Sequence, residues 1–199
     1  MRRFYDRLWL RSPCFRQCGA ACFCAVVYSF PPLTFRTIDP TRDADLCAAN
    51  HYDACLASFG RGCAYEGREP YLAWLAESAE TYPDGFVLVF KKNRFIGQLE
   101  LQVPYGLSTG YVNLFYVSPD VRGRGYGKLL HDYTDRYFRA WEAGRIELHV
   151  SPQNIRAIRF YRRLGYTFTE TSTGTYIKKD ARLWQMTRTL DAESKTLSE

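Results

Sequence analysis

The chain has 199 residues, 46% hydrophobic and 24% charged, which describes an ordinary globular chain able to bury a sizeable core as one domain. The formal charge is +6, but Arg2, Arg3, Arg7, Arg11 and Arg16 against Asp6 place +4 of it within residues 1–32, leaving about +2 on the rest. That distribution argues against a nucleic-acid-binding purpose, and neither an internal repeat nor a low-complexity block interrupts the chain.

Residues 1–32 run from a basic stretch into a nearly apolar segment, 18–30, and end at Pro31-Pro32. Thirteen residues are too short for a membrane span, and no clean small-x-small cleavage site follows, so the segment reads as a dispensable N-terminal extension. All seven cysteines (14, 18, 22, 24, 47, 55, 63) fall in the first third. An odd count argues for reduced thiols, and the spacing lacks the paired Cys-x-x-Cys of common zinc sites, so no metal is expected.

A first strand is expected over 33–38, with Asp39-Pro40 as cap and first turn of a helix through Ala49. Pro70 opens a second helix with Tyr71, Trp74, Leu75 and Ser78 along one face. Residues 86–90 and 95–103 read as a hairpin around Lys92, Asn93 and Arg94, followed by a strand over 111–117. The aromatic-rich segment 52–74 suits either core packing or a ligand cleft.

Residues 122–128, Arg-Gly-Arg-Gly-Tyr-Gly-Lys, follow that strand and open an amphipathic helix. Its stripe is Leu129, Leu130, Tyr133, Tyr137, Phe138 and Trp141, and Gly144 ends it. Three glycines in five positions let backbone approach a ligand closely, and the helix N-terminus behind them offers unpaired N–H groups and a positive dipole end. A Walker loop would need Gly at 122 and Ser or Thr at 129, where Arg122 and Leu129 stand. A dinucleotide fingerprint fails because its sixth position from Gly123 is Lys128. The pattern left is Arg-x-x-Gly-x-Gly, suited to a pyrophosphate.

One strand on, 146–150 is buried, and Ser151-Pro152 is expected to cap a helix that runs to Leu164 and stops at Gly165. Asn154, Ala157 and Tyr161 share one face over two turns, a track of roughly 10 Å. Two last strands, near 166–171 and 182–189, complete a mixed sheet, and 191–199 read as a disordered polar tail.

The run 117–130 closely resembles the acyl-CoA-binding motif of the GNAT superfamily of N-acetyltransferases. Asn154-x-x-Ala157-x-x-x-Tyr161 with Leu164-Gly165-Tyr166 resembles its next motif, and the resemblance covers about 33–190, taken as the domain. It implies an α/β (α+β) fold with a mixed, mostly antiparallel central sheet, helices on both faces, and strands splayed at the acyl-CoA site. It further implies acetyl-CoA as donor, held by Phe115, Tyr116, Val117, Arg122, Gly123, Arg124, Gly125, Tyr126, Gly127, Lys128 and Asn154. Backbone groups of Phe115 and Val117 would hold the pantetheine arm as an added strand.

The chemistry implied is direct attack of a neutral amine on the thioester, with Tyr161 protonating the departing sulfur. A lysine-like amine near pKa 10.4 must first lose a proton. Relatives that acetylate proteins carry a glutamate on the strand before the motif, but residues 102–119 contain no acid, so Glu100 is the candidate base, acting through water. His149 faces away from Ile146, Leu148 and Val150 and reads as structural, and His51 and His131 are assigned no role. The expected acceptor is a small-molecule amine. A protein or peptide amine and a silent acyl-CoA-binding module are the alternatives, with a nucleotide- or RNA-binding α/β domain as the contrasting class. The resemblance also implies a cytoplasmic setting, no membrane partner and a homodimer through the last strands.

Overall fold

The computed structural model describes residues 28–30, 33–60, 67–104, 107–173 and 182–190. Their order is β1 (Tyr28–Phe30), β2 (Leu33–Thr37), α1 (Ala44–Phe59), α2 (Arg68–Thr81), β3 (Phe86–Lys91), β4 (Arg94–Gln102), β5 (Thr109–Val117), α3 (Tyr126–Ala140), β6 (Arg145–Val150), α4 (Ile155–Arg163), β7 (Thr167–Thr173) and β8 (Arg182–Thr189). Among the described residues the strands form one sheet in the order β1-β2-β3-β4-β5-β6-β8-β7. Among these described strands only β5 and β6 run parallel. This is the expected mixed sheet with helices on both faces. The tail 191–199 and most of the N-terminal extension lie outside the described residues, as do Cys14, Cys18, Cys22, Cys24 and Cys63.

Strand alternation divides the core in two. Val87 and Val89 of β3 join Leu99, Leu101, Ile146 and Leu148 beneath α3 and α4. Phe86 and Leu88 turn the other way, toward Cys47 and Ala48 of α1 and Tyr71 and Leu75 of α2. The stripe expected on α3 buries Leu130, Tyr133, Tyr137 and Phe138, while Leu129 and Trp141 pack at its margin. Phe138 lies so close to β5 that a Cβ on Gly110 would stand 2.3 Å from its ring.

Three boundaries differ from the sequence reading. A strand at Tyr28–Phe30 pairs antiparallel with β2, inside the segment read as an extension. The first helix starts at Ala44 because the Asp39 carboxylate accepts from the amides of Thr41 and Arg42 (3.0 and 3.1 Å) and so caps a tight turn. Asp43 is drawn instead to Arg36 and Arg42 (2.8 and 3.2 Å). The helix then continues ten residues beyond Ala49, because the polar Asn50 is buried against Gln98.

The feature that places the site is a bulge. Glu100 pairs with Leu114 and Leu101 with Val112, so Asn113 is the extra residue in β5. An inserted residue bends a strand and exchanges its faces. Gly110 and Val112 therefore face α3 before the bulge, whereas Phe115 and Val117 take that face after it. The β5–β6 ladder ends at the same point, at Val112 and Leu148. Beyond it β5 stays paired to β4 as far as Val117, and β6 stays paired to β8 as far as Val150. The two strands thus part, and residues 114–117 have no ladder partner on their β6 side among the described residues.

Candidate acyl-donor site

The opening between β5 and β6 is bounded at one end by the glycine loop. After β5 a 3₁₀ turn, Pro119–Val121, leads to Gly123 and Gly125, whose φ angles of +78° and +84° suit glycine, with open space where a Cβ would sit. Gly125 is the N-cap of α3 and supplies no side chain to its first amides, of which that of Lys128 donates to the Gly125 carbonyl (3.1 Å). Arg124 and Lys128 are exposed beside them, and Lys128 pairs with Asp132 one turn on. Gly127 sits where a Cβ would come 3.0 Å from the Phe160 ring, which lets the start of α3 pack on α4.

Arg122 does other work than a phosphate contact. Its Nε donates to the Val117 carbonyl (2.7 Å), its second nitrogen binds Asp53 of α1 (3.0 Å), and its guanidinium lies 5.6 Å from the Tyr116 ring. The loop is therefore locked to the end of β5. Tyr116 also departs from expectation, since the bulge turns its side chain toward Asp53 and Phe95, and burial pushes its phenol up to about 12. Only its backbone borders the opening. Tyr126 lies across the loop, its hydroxyl accepting from the Lys91 ammonium (3.3 Å).

On the β6 side, Asn154 is the N-cap of α4 rather than a residue within it. Its Oδ1 accepts from the Ala157 amide (3.1 Å) and its Nδ2 donates to Ser58 Oγ (3.3 Å). Ser151-Pro152 forms the preceding turn, in which the Ser151 carbonyl accepts from Asn154 N (2.9 Å), so the expected cap lies three residues too early. Through Asp53 and Ser58, α1 is tied to the loops that follow both splayed strands.

Tyr161 is 8% exposed, its ring 6.1 Å from Phe115 and 5.4 Å from Tyr166. Among the described residues its hydroxyl makes no hydrogen bond. Burial, and then Tyr166, raise the phenol above its ordinary pKa of 10, so it carries its proton at neutral pH. The contact with Phe115 sets it beside the unpaired stretch of β5.

Glu100 does not fit the role expected of it. It is 1% exposed on an interior strand, roofed by α2, with Tyr71 OH (2.5 Å) and Gln98 Nε2 (2.8 Å) both donating to Oε1. Gln98 in turn accepts from Asn50 Nδ2 (2.8 Å), and His51 stacks on Tyr71 at 4.1 Å. Burial lifts the Glu100 carboxyl to about 7. A carboxyl sealed in this way meets no incoming amine, with or without a bridging water, until Tyr71 moves.

Reading by sequence passed over one pair that the fold joins. Tyr111 on β5 and His149 on β6 lie 2.5 Å apart, hydroxyl to Nδ1, beside the point where the strands part. Their only sequence signal is that each alternates away from the core. Among the described residues no cluster of three metal-ligating side chains occurs, and no helix is long and apolar enough to cross a membrane.

A profile of the Acetyltransferase (GNAT) family matches residues 50–166. Over 99 residues, half of this chain, the sequence is 31% identical to a mycothiol acetyltransferase of Beutenbergia cavernae and 26% identical to the peptidyl-lysine N-acetyltransferase YjaB of Salmonella typhimurium. Those stretches span 29% and 52% of the two relatives' lengths. Among solved structures, Ard1 from Thermoplasma volcanium superposes with a TM-score of 0.66 at 20% identity, covering 81% of this chain and 99% of that one. The spermidine N-acetyltransferase of Vibrio cholerae in complex with CoA and spermine gives 0.63 at 16%, covering 81% and 97%.

Proposed function

Because the chain belongs to the GNAT family of acetyltransferases, we propose that it moves an acetyl group from acetyl-CoA to a primary amine, that of a small molecule first. The observation that carries this reading is the unpaired edge of β5 at residues 114–117, lying between a two-glycine loop at a helix N-terminus and the phenol of Tyr161. An extended arm bearing amides satisfies such an edge as an added strand does. A pyrophosphate suits the amides that open α3, with Arg124 and Lys128 beside them.

When bound, acetyl-CoA supplies the activated acyl group. Backbone of Phe115 and Val117 orients the arm, Asn154 borders it from the N-cap of α4, and the Tyr161 hydroxyl gives its proton to the departing sulfur. Two features favour a small acceptor. Residues 102–119 lack an acid, and α1 is tied across the opening at Asp53 and Ser58. A peptide amine is the second reading, favoured by the peptidyl-lysine specificity of one relative.

Release of free thiol from acetyl-CoA, measured across polyamines, amino sugars and peptides with free α- or ε-amines, tests the proposal. Turnover with small amines over peptides supports it, and tight CoA binding without thiol release overturns it. Tyr161→Phe should lower kcat about a hundredfold with little change in KM for acetyl-CoA. Full turnover in that variant removes the acid role.

A further inference from the structure

Binding of acetyl-CoA, the reading on which this inference rests, puts a pyrophosphate at the start of α3. CoA carries a further phosphate beyond it, a monoester on the 3′-oxygen of its ribose. A phosphate monoester holds a charge of about −1.5 to −2 at neutral pH. Side chains that bind it must be cations near the glycine loop that are not already committed to carboxylates.

Helix α4 supplies such cations. Its nine residues include Arg156, Arg159, Arg162 and Arg163, all exposed, and no acid. Among the described residues none of the four meets a carboxylate, whereas the exposed Arg68, Arg94 and Arg145 each do, at Asp45, Asp120 and Glu147. Arg162 and Arg163 occupy the last turn, where the helix dipole favours a cation. Arg156 and Arg159 gain nothing of that kind. Arg156 stands in the first turn, at the positive end of the dipole, and Arg159 lies one turn from like charges on both sides. Both placements cost α4 stability, and an anion bound across them relieves the repulsion.

The packing of α4 sets these two residues beside the loop. Since β5 and β6 run parallel, the glycine loop that follows one and the N-terminus of α4 that follows the other lie at the same end of the sheet. Arg156 is one turn before Phe160 on the same flank of the helix, and the Phe160 ring packs on Gly127 of α3. That flank therefore faces the first turn of α3. Arg159 neighbours Arg156 at the next turn, and side chains of a helix lean toward its N-terminus, here the end beside the loop. Arg124 and Lys128 are exposed on the other side of the same space. Arg162, two residues past Phe160, points about 160° away from it around the helix.

We propose that Arg156 and Arg159 bind the 3′-phosphate of CoA and make the chain select CoA over its 3′-dephospho form. Two guanidinium forks match the oxygens of a monoester dianion, and neither has to leave a carboxylate first. A contact so far from the thioester is the same before and during acetyl transfer, so it acts on affinity and leaves the chemical step unchanged.

The test titrates the full chain with CoA and with 3′-dephospho-CoA by calorimetry, and follows the melting of each variant. The wild type should bind CoA about tenfold more tightly than dephospho-CoA, the scale of one hydrogen bond to a charged group. Arg156→Gln combined with Arg159→Gln should weaken CoA about tenfold and leave dephospho-CoA unchanged. In thiol release the same double variant should raise KM for acetyl-CoA about tenfold at unchanged kcat. Arg162→Gln, which removes an equal charge from the opposite flank, should keep the wild-type preference. Equal affinity of the wild type for the two carriers overturns the proposal and leaves the acetyl-CoA reading intact. So does a double variant that keeps the preference or weakens both carriers alike, or an Arg162→Gln variant that loses the preference as fully. A folded wild-type chain that binds neither carrier overturns both.

Discussion

Glu100 makes folding depend on pH in a direction opposite to that of most carboxylates. Burial raises its pKa from the ordinary 4.5 to about 7, and the hydrogen bonds from Tyr71 and Gln98 offset only part of that rise. The folded chain therefore holds this proton more tightly than the unfolded chain does. The associated stability is full below pH 4.5 and is lost as pH rises through about 7. At 1.36 kcal/mol for each pH unit, the interval from 4.5 to about 7 corresponds to about 3 kcal/mol. Glu100→Gln removes the titration and keeps an Oε1 that accepts from both donors. The unfolding free energy in urea, taken as variant minus wild type, should grow by about 3 kcal/mol between pH 4.5 and pH 8. His51 and His131 tilt the other way, since burial lowers them to about 4 and their contribution is lost as pH falls from about 6.5 toward that value. Both histidines are present in both proteins, so they cancel in the difference. A difference that stays level across this range refutes the reasoning.

Asn154→Ala removes the cap of α4 and the bridge to Ser58, and should lower stability by about 1 kcal/mol in urea unfolding, whereas Asn154→Asp should keep the part due to the cap. Arg122→Ala frees the Val117 carbonyl and Asp53 together. It should cost about 2 kcal/mol of stability and weaken CoA binding measured by calorimetry. Arg122→Lys should behave like the alanine variant, because an ammonium has no fork to span both partners, and wild-type behaviour of the lysine variant would contradict this assignment.

The glycine loop and the helix behind it were legible because their signals are local. Gly123 and Gly125 adopt positive φ angles that glycine best tolerates, and the helix behind them announces itself by the spacing of Leu130, Tyr133, Tyr137 and Phe138. The opening between β5 and β6 was not, because it depends on pairings between distant segments. Nothing near Asn113 signals a bulge, yet that one residue exchanges the faces of Tyr116 and Phe115 and ends the ladder with β6. Asn50, Gln98 and Glu100 look like surface residues in sequence and instead form a buried chain of hydrogen bonds beneath α1 and α2. Periodicity cannot reveal that, since it counts a polar side chain as exposed. Arg122 was read correctly as part of the loop, but its partners, Val117 and Asp53, show it bracing the loop.

Calorimetric titration of the full chain with CoA bears most directly on the central claim, that the parted strands and the glycine loop together hold an acyl-CoA. The account predicts saturable binding of one CoA per chain and a rise in melting temperature with CoA that ATP alone does not reproduce. A properly folded chain that takes up no CoA, or that ATP or RNA stabilises while CoA does not, would contradict it.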